Sequence, residues 1–201
     1  MIALIDYRAG NLTSVKKALA TIGADVLVPQ APEDLADAAG VIVPGVGHFG
    51  ATRALDGPWI EAILGRVGEG RPLLGICLGM QWLFEGSDEA PDCPGLGLLS
   101  GRCYKLGLQA NRDIKVPHVG WNSLTLQQHT SIVEGVPAGA QVYFTHSYAA
   151  PVDGDTVAVT EHGESFAAVV QRGHVAGVQF HPEKSGDVGL RILRNFLELV
   201  A

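Results

Sequence analysis

The segment Pro72-Leu73-Leu74-Gly75-Ile76-Cys77-Leu78-Gly79-Met80-Gln81 joins a short apolar run to a cysteine that stands between two glycines. The run is typical of a buried strand, and residues 78–84 are typical of a helix. The pattern matches a nucleophile elbow, G-x-S-x-G, with cysteine in place of serine. Gly75 and Gly79 would let the chain bend sharply without side-chain collisions. We therefore predict that the turn presents Cys77 at the carboxyl end of a strand and at a helix N-terminus, which favours the thiolate. The alternative is a buried structural cysteine.

A second segment near the C-terminus supports the nucleophile hypothesis. Residues 174–180 form an apolar run that predicts a buried strand, and His181-Pro182-Glu183-Lys184-Ser185 follows it. A thiol nucleophile needs a base and a group that orients the base. In extended backbone His181 and Glu183 would point to the same side, and Pro182 keeps His181 extended. The two segments together predict a Cys-His-Glu triad, although H-P-E alone could be a strand-ending turn with solvated side chains.

Composition limits the possible functions. The 201 residues fit one domain, 1–201, and the net charge of −7 argues against a partner that is nucleic acid or an anionic membrane. Three cysteines without a C-x-x-C pair predict neither a disulfide framework nor a metal site, and they fit a reducing cytoplasm. The N-terminus has no basic region and no long apolar stretch, so no export signal or membrane span is expected. We also expect no cofactor.

Strand and helix patterns alternate through the first half of the chain. Residues 2–5, 25–28, 41–43 and 73–76 are predicted strands, and Asn11 is a good N-cap for the helix that should follow the first of them. The second half is richer in strand patterns and ends in a helix over residues 188–200. This order predicts an α/β fold with a single doubly wound, mostly parallel sheet and a β-rich second half.

A third segment, Pro44-Gly45-Val46-Gly47, follows the predicted strand 41–43. Acyl transfer from an amide needs backbone N–H donors aimed at the developing oxyanion. A glycine-containing strand end beside the elbow could supply one donor, and the N–H of Leu78 a second. An ordinary strand-to-helix turn is the alternative.

The three segments together resemble the class I, triad-type glutamine amidotransferases. The resemblance covers essentially the whole chain. Within that family, further segments are similar to the glutaminase subunits of imidazole glycerol phosphate synthases. These segments are residues 6–12 (DYRAGNL), 44–50 (PGVGHFG), 116–122 (VPHVGWN) and 181–185 (HPEKS). Arg8 stands where that family more often has glycine.

The resemblance implies a reaction and a set of roles. Cys77 would attack the side-chain amide of glutamine, His181 would transfer protons, and Glu183 would orient His181. It also implies oxyanion and substrate contacts from Val46, Gly47, Leu78, Gln81, Thr145, His146 and Ser147. His146 by itself is more typical of a structural residue than of a second base. The ammonia would pass to a cyclase subunit in a heterodimer, and the face that meets the cyclase would include Asn11, Trp121 and Lys184.

Three alternatives stay open at this point. The chain could serve another amidotransferase, such as pyridoxal phosphate synthase, with the same thiol chemistry. It could be a stand-alone cysteine or γ-glutamyl hydrolase, which would be fully active without a partner. It could also be a non-enzymatic regulatory relative, although the presence of Cys77, His181 and Glu183 argues against that.

Overall fold

Strands alternate with helices in the first half of the chain, and the second half consists mostly of consecutive strands. A computed structural model describes residues 1–107 and 114–200. The helices are α1 (Leu12–Thr21), α2 (Gly57–Gly68), α3 (Leu78–Trp82) and α4 (Gly186–Val200). The strands are β1 (Ile2–Leu4), β2 (Val26–Leu27), β3 (Gly40–Val43), β4 (Leu73–Ile76), β5 (Gly86–Ser87), β6 (Arg102–Lys105), β7 (His118–Ser123), β8 (Thr125–Leu126), β9 (Gln141–His146), β10 (Tyr148–Ala149), β11 (Thr156–Glu161), β12 (Ser165–Arg172) and β13 (Val175–Val178). Short 3₁₀ helices cover Pro32–Leu35, Phe49–Ala54, Ser131–Val133 and Pro182–Lys184.

One eight-stranded sheet organises the molecule, in the order β2-β1-β3-β4-β13-β12-β11-β8. The first five strands in that order are parallel, and the last three pair antiparallel. Two smaller sheets, β10-β6-β5 and β7-β9, complete the structure. The prediction of a doubly wound, mostly parallel sheet with a β-rich second half is therefore confirmed. Among the described residues, no helix is long and apolar enough to cross a membrane.

The core forms two apolar layers, one on each face of the large sheet. Side chains of successive strand residues point to opposite faces, so Ile42 and Leu74 join one layer while Val41 and Leu73 join the other. The layer with Ile42 also holds apolar residues of α1 and α4, and the layer with Val41 holds residues of α2 and α3. Helices thus cover both faces, as parallel sheets require.

The order of the central strands positions the site. β4, which leads into the elbow, lies between β3 and β13. The segment Pro44–Gly47 leaves β3, and the segment 179–183 leaves β13, at the same edge where β4 ends. The register pairs Ile76 with Val178, and the N–H of Cys77 donates to the carbonyl of Val178 at 2.8 Å. All three predicted chemical segments therefore meet at the carboxyl end of parallel strands, where open α/β sheets hold their ligands.

Several local predictions need correction. Asn11 occupies the N-cap position of α1, but its side chain makes no capping hydrogen bond. The helix after the elbow is shorter than residues 78–84 and ends at Trp82. Arg8 has a φ of 62°, the left-handed conformation that glycine tolerates best, which explains why glycine is more usual there.

Candidate active site

Cys77 sits at a strained turn between β4 and α3. Its φ is 53° and its ψ is −105°, a combination that L residues rarely adopt and that recurs at functional sites. Close packing requires the two neighbouring glycines. A Cβ on Gly79 would collide with the carbonyl oxygen of Val43, and a Cβ on Gly75 would lie 2.6 Å from the backbone of Gly79. The predicted elbow is therefore present, with cysteine at its apex.

The surroundings of the sulfur are polar, although Cys77 as a residue is 4% exposed. The side-chain amide of Gln179 donates to Sγ at 3.5 Å, and the carbonyl oxygen of Thr145 lies 4.0 Å from Sγ. Cys77 also lines a pocket of about 280 Å³ with several of the predicted substrate-binding residues.

His181 and Glu183 form a buried pair. Nδ1 of His181 lies 2.9 Å from a carboxylate oxygen of Glu183, and the two side chains are 2% and 1% exposed. The contact was predicted, but the reason given for it was wrong. Only His181 is extended, with φ −99° and ψ 98°, and Glu183 lies in the 3₁₀ turn Pro182–Lys184 that folds its carboxylate back. The backbone N–H of His181 donates to the carbonyl of Tyr143 at 2.9 Å, which anchors the pair to β9.

The pair is electrostatically coupled to the nucleophile. Burial alone would lower the pKa of His181, but the nearby sulfur of Cys77 and the carboxylate of Glu183 outweigh it and raise the pKa to about 9. Nε2 of His181 is buried and makes no hydrogen bond of standard geometry to the described residues, so it is free to serve a reacting group. Because the pKa is raised, the imidazole is protonated at neutral pH and can act first as an acid.

This raised pKa predicts the alkaline limb of the pH profile. The acid form of His181 is present below pH 9 and is lost as the pH rises through about 9. We therefore expect ammonia release from glutamine to fall above that pH, because the leaving group is no longer protonated. Glu183→Gln removes one of the groups that raise the pKa, so its alkaline limb should lie at lower pH. Initial rates measured from about pH 7 to about pH 10, a range that spans the pKa of His181, would test this. Identical alkaline limbs in the wild-type chain and in Glu183→Gln would contradict it.

The predicted oxyanion donors are engaged elsewhere in this conformation. The N–H of Leu78 donates to the carbonyl of Gly45 at 3.2 Å, and the N–H of Val46 donates to the carbonyl of Ala9 at 3.0 Å. Gly47 is exposed, has a φ of 102° and lines the pocket. Leu78 lines the pocket and Val46 does not, and the N–H groups of both are engaged within the chain.

Gln81, Thr145, His146 and Ser147 all line the pocket with Cys77, as the resemblance implies. Gln81 is held by two bonds, because its side-chain N–H groups donate to the carbonyl of Tyr148 at 2.8 Å and to Oε1 of Gln179 at 3.0 Å. Gln179 in turn contacts Cys77, so a chain of amides runs from α3 to the sulfur.

His146 belongs to a chain of neutral side chains. Its Nδ1 lies 2.8 Å from the carbonyl of Tyr148, so Nδ1 carries the proton and Nε2 must accept from Nδ1 of His118, 3.1 Å away. Nε2 of His118 then accepts from the amide of Asn122 at 3.2 Å. Burial lowers the pKa of His146 to about 3 and that of His118 to about 4, and neighbouring histidines add to the effect. His146 is therefore a structural group at neutral pH.

Sequence reasoning missed Glu89, which lines the pocket with Pro117 and Tyr148, and Gln179, which contacts Cys77 without lining the pocket. Glu89 lines the pocket and accepts the N–H of Phe49 at 2.7 Å, which fixes a carboxylate near the nucleophile. Its loop, residues 85–95, has the acidic, proline-containing composition of an exposed loop, yet it supplies β5 and buried residues such as Cys93. Gln179 was also missed, although a glutamine inside a buried apolar strand pattern is a signal that sequence reasoning can use.

Two of the predicted partner-face residues meet at Tyr143. Trp121 is 57% exposed and packs edge-on against the ring of Tyr143, with the ring centroids 6.0 Å apart. Nζ of Lys184 lies 5.7 Å from the centroid of the same ring. Val119, two residues before Trp121 on β7, is 55% exposed. Asn11 lies at the start of α1, and α1 shares a groove with Pro182 and Glu183.

The fold and this thiol site define a class of proteins. The chain belongs to the glutamine amidotransferase class-I family, because the model of that family matches residues 3–200. Two similar curated proteins are each named imidazole glycerol phosphate synthase subunit HisH. The protein from Halobacterium salinarum is 47% identical over 209 residues, which cover 100% of this chain and 94% of the relative. The protein from Bacillus cereus (strain B4264) is 44% identical over 203 residues, which cover 100% and 95%.

A solved structure supports the fold independently. A crystal structure titled as a glutamine amidotransferase superposes with a TM-score of 0.77 at 23% identity and covers 100% of this chain and 99% of its own. The family assignment made from the motifs is confirmed by the family model and by these relatives.

Proposed function

We propose that this chain is the glutaminase subunit of an imidazole glycerol phosphate synthase in histidine biosynthesis. It hydrolyses glutamine to glutamate and ammonia, and it passes the ammonia to a cyclase subunit in a cytoplasmic heterodimer. The cyclase uses the ammonia to make imidazole glycerol phosphate and an aminoimidazole carboxamide ribotide. The observation that carries the proposal is that Cys77 follows β4 and the buried His181–Glu183 pair follows the neighbouring β13, in a chain that matches the named relatives along its full length.

The first half of the reaction forms a thioester. The Cys77 thiolate attacks the amide carbon of glutamine, and the electron pair of the C=O bond moves to oxygen. When the tetrahedral intermediate collapses, the C–N bond breaks and the nitrogen takes a proton from Nε2 of His181, so neutral ammonia leaves. Glu183 holds Nδ1 of His181 and stabilises the imidazolium until that transfer.

The second half restores the enzyme. Neutral His181 takes a proton from water, the hydroxide attacks the thioester carbon, and the C–S bond breaks to release glutamate and the Cys77 thiolate. Water exclusion favours delivery of ammonia as the neutral molecule. Glu89 adds a carboxylate to the lining of the pocket, and a carboxylate suits the α-ammonium group of the substrate.

The engaged oxyanion donors explain why the isolated chain should be idle. Removing one oxyanion donor from a hydrolase costs on the order of 10² to 10³ in rate. Here the N–H groups of both Leu78 and Val46 are bound within the chain. The partner of Val46 is Ala9, which lies two residues before Asn11 of the proposed partner face. A cyclase that contacts this loop could therefore release the donors and activate the site.

A steady-state glutaminase assay over a cyclase titration tests the proposal. The isolated chain should release little ammonia, and the rate should rise on the order of a hundredfold or more as the cyclase and its nucleotide ligand bind. A control titration uses the cyclase with Cys77→Ala. Full activity without cyclase, unchanged by its addition, would contradict the proposal and favour a stand-alone hydrolase.

Trp121 should anchor the partner. An exposed tryptophan beside exposed Val119 is the kind of residue that dominates interface energy, so Trp121→Ala should weaken cyclase binding by about 2 kcal/mol, or about 30-fold in Kd. Lys184→Ala should reduce the activation of glutamine hydrolysis by the cyclase, while Cys77 stays reactive. Val152→Ala serves as the matched control, since Val152 is another exposed apolar residue, 50% accessible. Calorimetric titration would measure these affinities, and an equal loss in the Val152 and Trp121 variants would refute the assignment.

A further inference from the structure

Tyr7 is a buried tyrosine whose hydroxyl group has no partner. The residue is 7% exposed, and Oη makes no hydrogen bond to any described residue. A buried hydroxyl that stays unpaired destabilises the fold, so native structures rarely keep one without a reason. Tyr7 follows β1 and belongs to the loop 6–11 that also carries Ala9.

The hydroxyl lies directly against the loop that should form the oxyanion site. A Cβ on Gly45 would collide with Oη of Tyr7, and it would lie 3.1 Å from Cζ of the same ring and 3.0 Å from the Cβ of Leu78. The phenol therefore fills the space beside the α-carbon of Gly45. Burial, and after it the charge of Cys77, raises the pKa of Tyr7, so the hydroxyl stays protonated and able to donate.

The peptide group between Gly45 and Val46 takes part in both of the hydrogen bonds that engage the oxyanion donors. The carbonyl of Gly45 and the N–H of Val46 belong to the same peptide plane. That carbonyl accepts from Leu78 at 3.2 Å, and that N–H donates to Ala9 at 3.0 Å. Because the two groups point in opposite directions, a half-turn of the plane would exchange them. Leu78 would be released, and the N–H of Val46 would point to the nucleophile side.

The half-turn creates a new requirement. The carbonyl of Gly45 would then point toward the loop 6–11. There it would face the carbonyl oxygen of Ala9, which accepts the N–H of Val46 in the resting arrangement and has no hydrogen to donate. A buried carbonyl in that position needs a donor. Tyr7 supplies a buried, protonated and unpartnered hydroxyl in contact with Gly45.

We propose that Tyr7 is a positioning residue for the oxyanion site. Its hydroxyl donates a hydrogen bond to the carbonyl of Gly45 when the Gly45–Val46 peptide has turned over, and so stabilises the arrangement in which Val46 and Leu78 face the substrate. In the resting arrangement the same hydroxyl is unpaired. The inference rests on the proposed function, since it concerns activation of the glutaminase by the cyclase. Tyr7 does not touch the substrate, so its effect should fall on the active conformation and not on substrate binding.

The test compares Tyr7→Phe with the wild-type chain, each in complex with the cyclase and its ligand. Phenylalanine keeps the ring and removes only the hydroxyl, and Tyr104→Phe is the matched control at a tyrosine remote from the loop. Loss of one buried hydrogen bond should lower kcat about tenfold, while KM for glutamine changes less than about twofold.

A pair of thiol reagents separates positioning from general damage. A glutamine-like chloroketone reacts with Cys77 through a tetrahedral oxyanion, so in the complex its rate should fall about tenfold in Tyr7→Phe. Iodoacetamide alkylates by direct displacement and needs no oxyanion donor, so its rate should equal that of the wild-type chain.

The outcomes are distinct. Wild-type kcat in the Tyr7→Phe complex, with normal activation of the wild-type chain, would overturn this inference and leave the proposed function intact. Equal slowing of both reagents, or weaker cyclase binding, would mean a structural role and would overturn it as well. No activation of the wild-type chain would contradict both the inference and the function on which it rests.

Discussion

Cys77→Ala should abolish ammonia release from glutamine in the cyclase complex, with a loss on the order of 10⁵ to 10⁶ in kcat. The reason is that the remaining groups, the His181–Glu183 pair and the oxyanion donors, have no nucleophile to assist. The fold should persist, because the elbow depends on Gly75 and Gly79 and not on the sulfur. Cyclase binding should therefore be unchanged, as measured by calorimetric titration alongside the assay.

The other cysteines provide internal controls. Cys103 is fully buried, and burial, with the charge of Asp88, raises the pKa of its thiol, so it should be unreactive. Cys93 is 2% exposed, and its sulfur contacts Oγ1 of Thr52 at 3.4 Å. A glutamine-like electrophile should label Cys77 alone, and Cys93→Ala should keep wild-type activity. Substantial turnover by Cys77→Ala, or label on Cys93 or Cys103, would rule out the assigned nucleophile.

His181→Ala should be about as inactive as Cys77→Ala, because nucleophile and base act as a unit. Glu183→Gln should lose less, at most about 10⁴ in kcat, since Glu183 orients the imidazole and transfers no proton. The amide can still accept from Nδ1 of His181 but carries no charge to stabilise the imidazolium. Rates of the three variants in the cyclase complex would test this order.

A histidine outside the site serves as the control for these variants. Nε2 of His174 lies 2.9 Å from the carbonyl of Val67, far along β13 from the catalytic pair, so His174→Ala should keep near wild-type turnover. If His181→Ala retained normal turnover, the triad would be wrong. If Glu183→Gln, folded as the wild type, were as inactive as His181→Ala, the carboxylate would have a larger role than orientation.

The elbow was predictable because its geometry depends on local residues. Gly75 and Gly79 permit a close approach of backbone that any other residue would prevent, and this requirement is visible in the sequence. The meeting of Cys77 with His181 was predictable only in outline. It follows from the parallel order β3-β4-β13, which an alternation of strands and helices suggests but does not specify.

The features that could not be predicted depend on contacts between distant segments. Hydrogen bonds from Val46 to Ala9 and from Leu78 to Gly45 join separate loops, and no local pattern reports them. The folding-back of Glu183 arises in a 3₁₀ turn, whereas strand periodicity suggested an extended chain. Glu89 escaped notice because acidic residues in a loop usually face solvent, and here the loop is drawn into a small sheet.

Intact-protein mass spectrometry of acid-quenched reactions tests the central claim most directly. The complex is mixed with glutamine and cyclase ligand, quenched within the first turnovers, and digested to locate any adduct. The account predicts a γ-glutamyl thioester on the peptide that contains Cys77, absent from Cys77→Ala and removed by hydroxylamine. Glutamate formed at the normal rate with no adduct on Cys77 in any early quench, or an adduct on another residue, would contradict it.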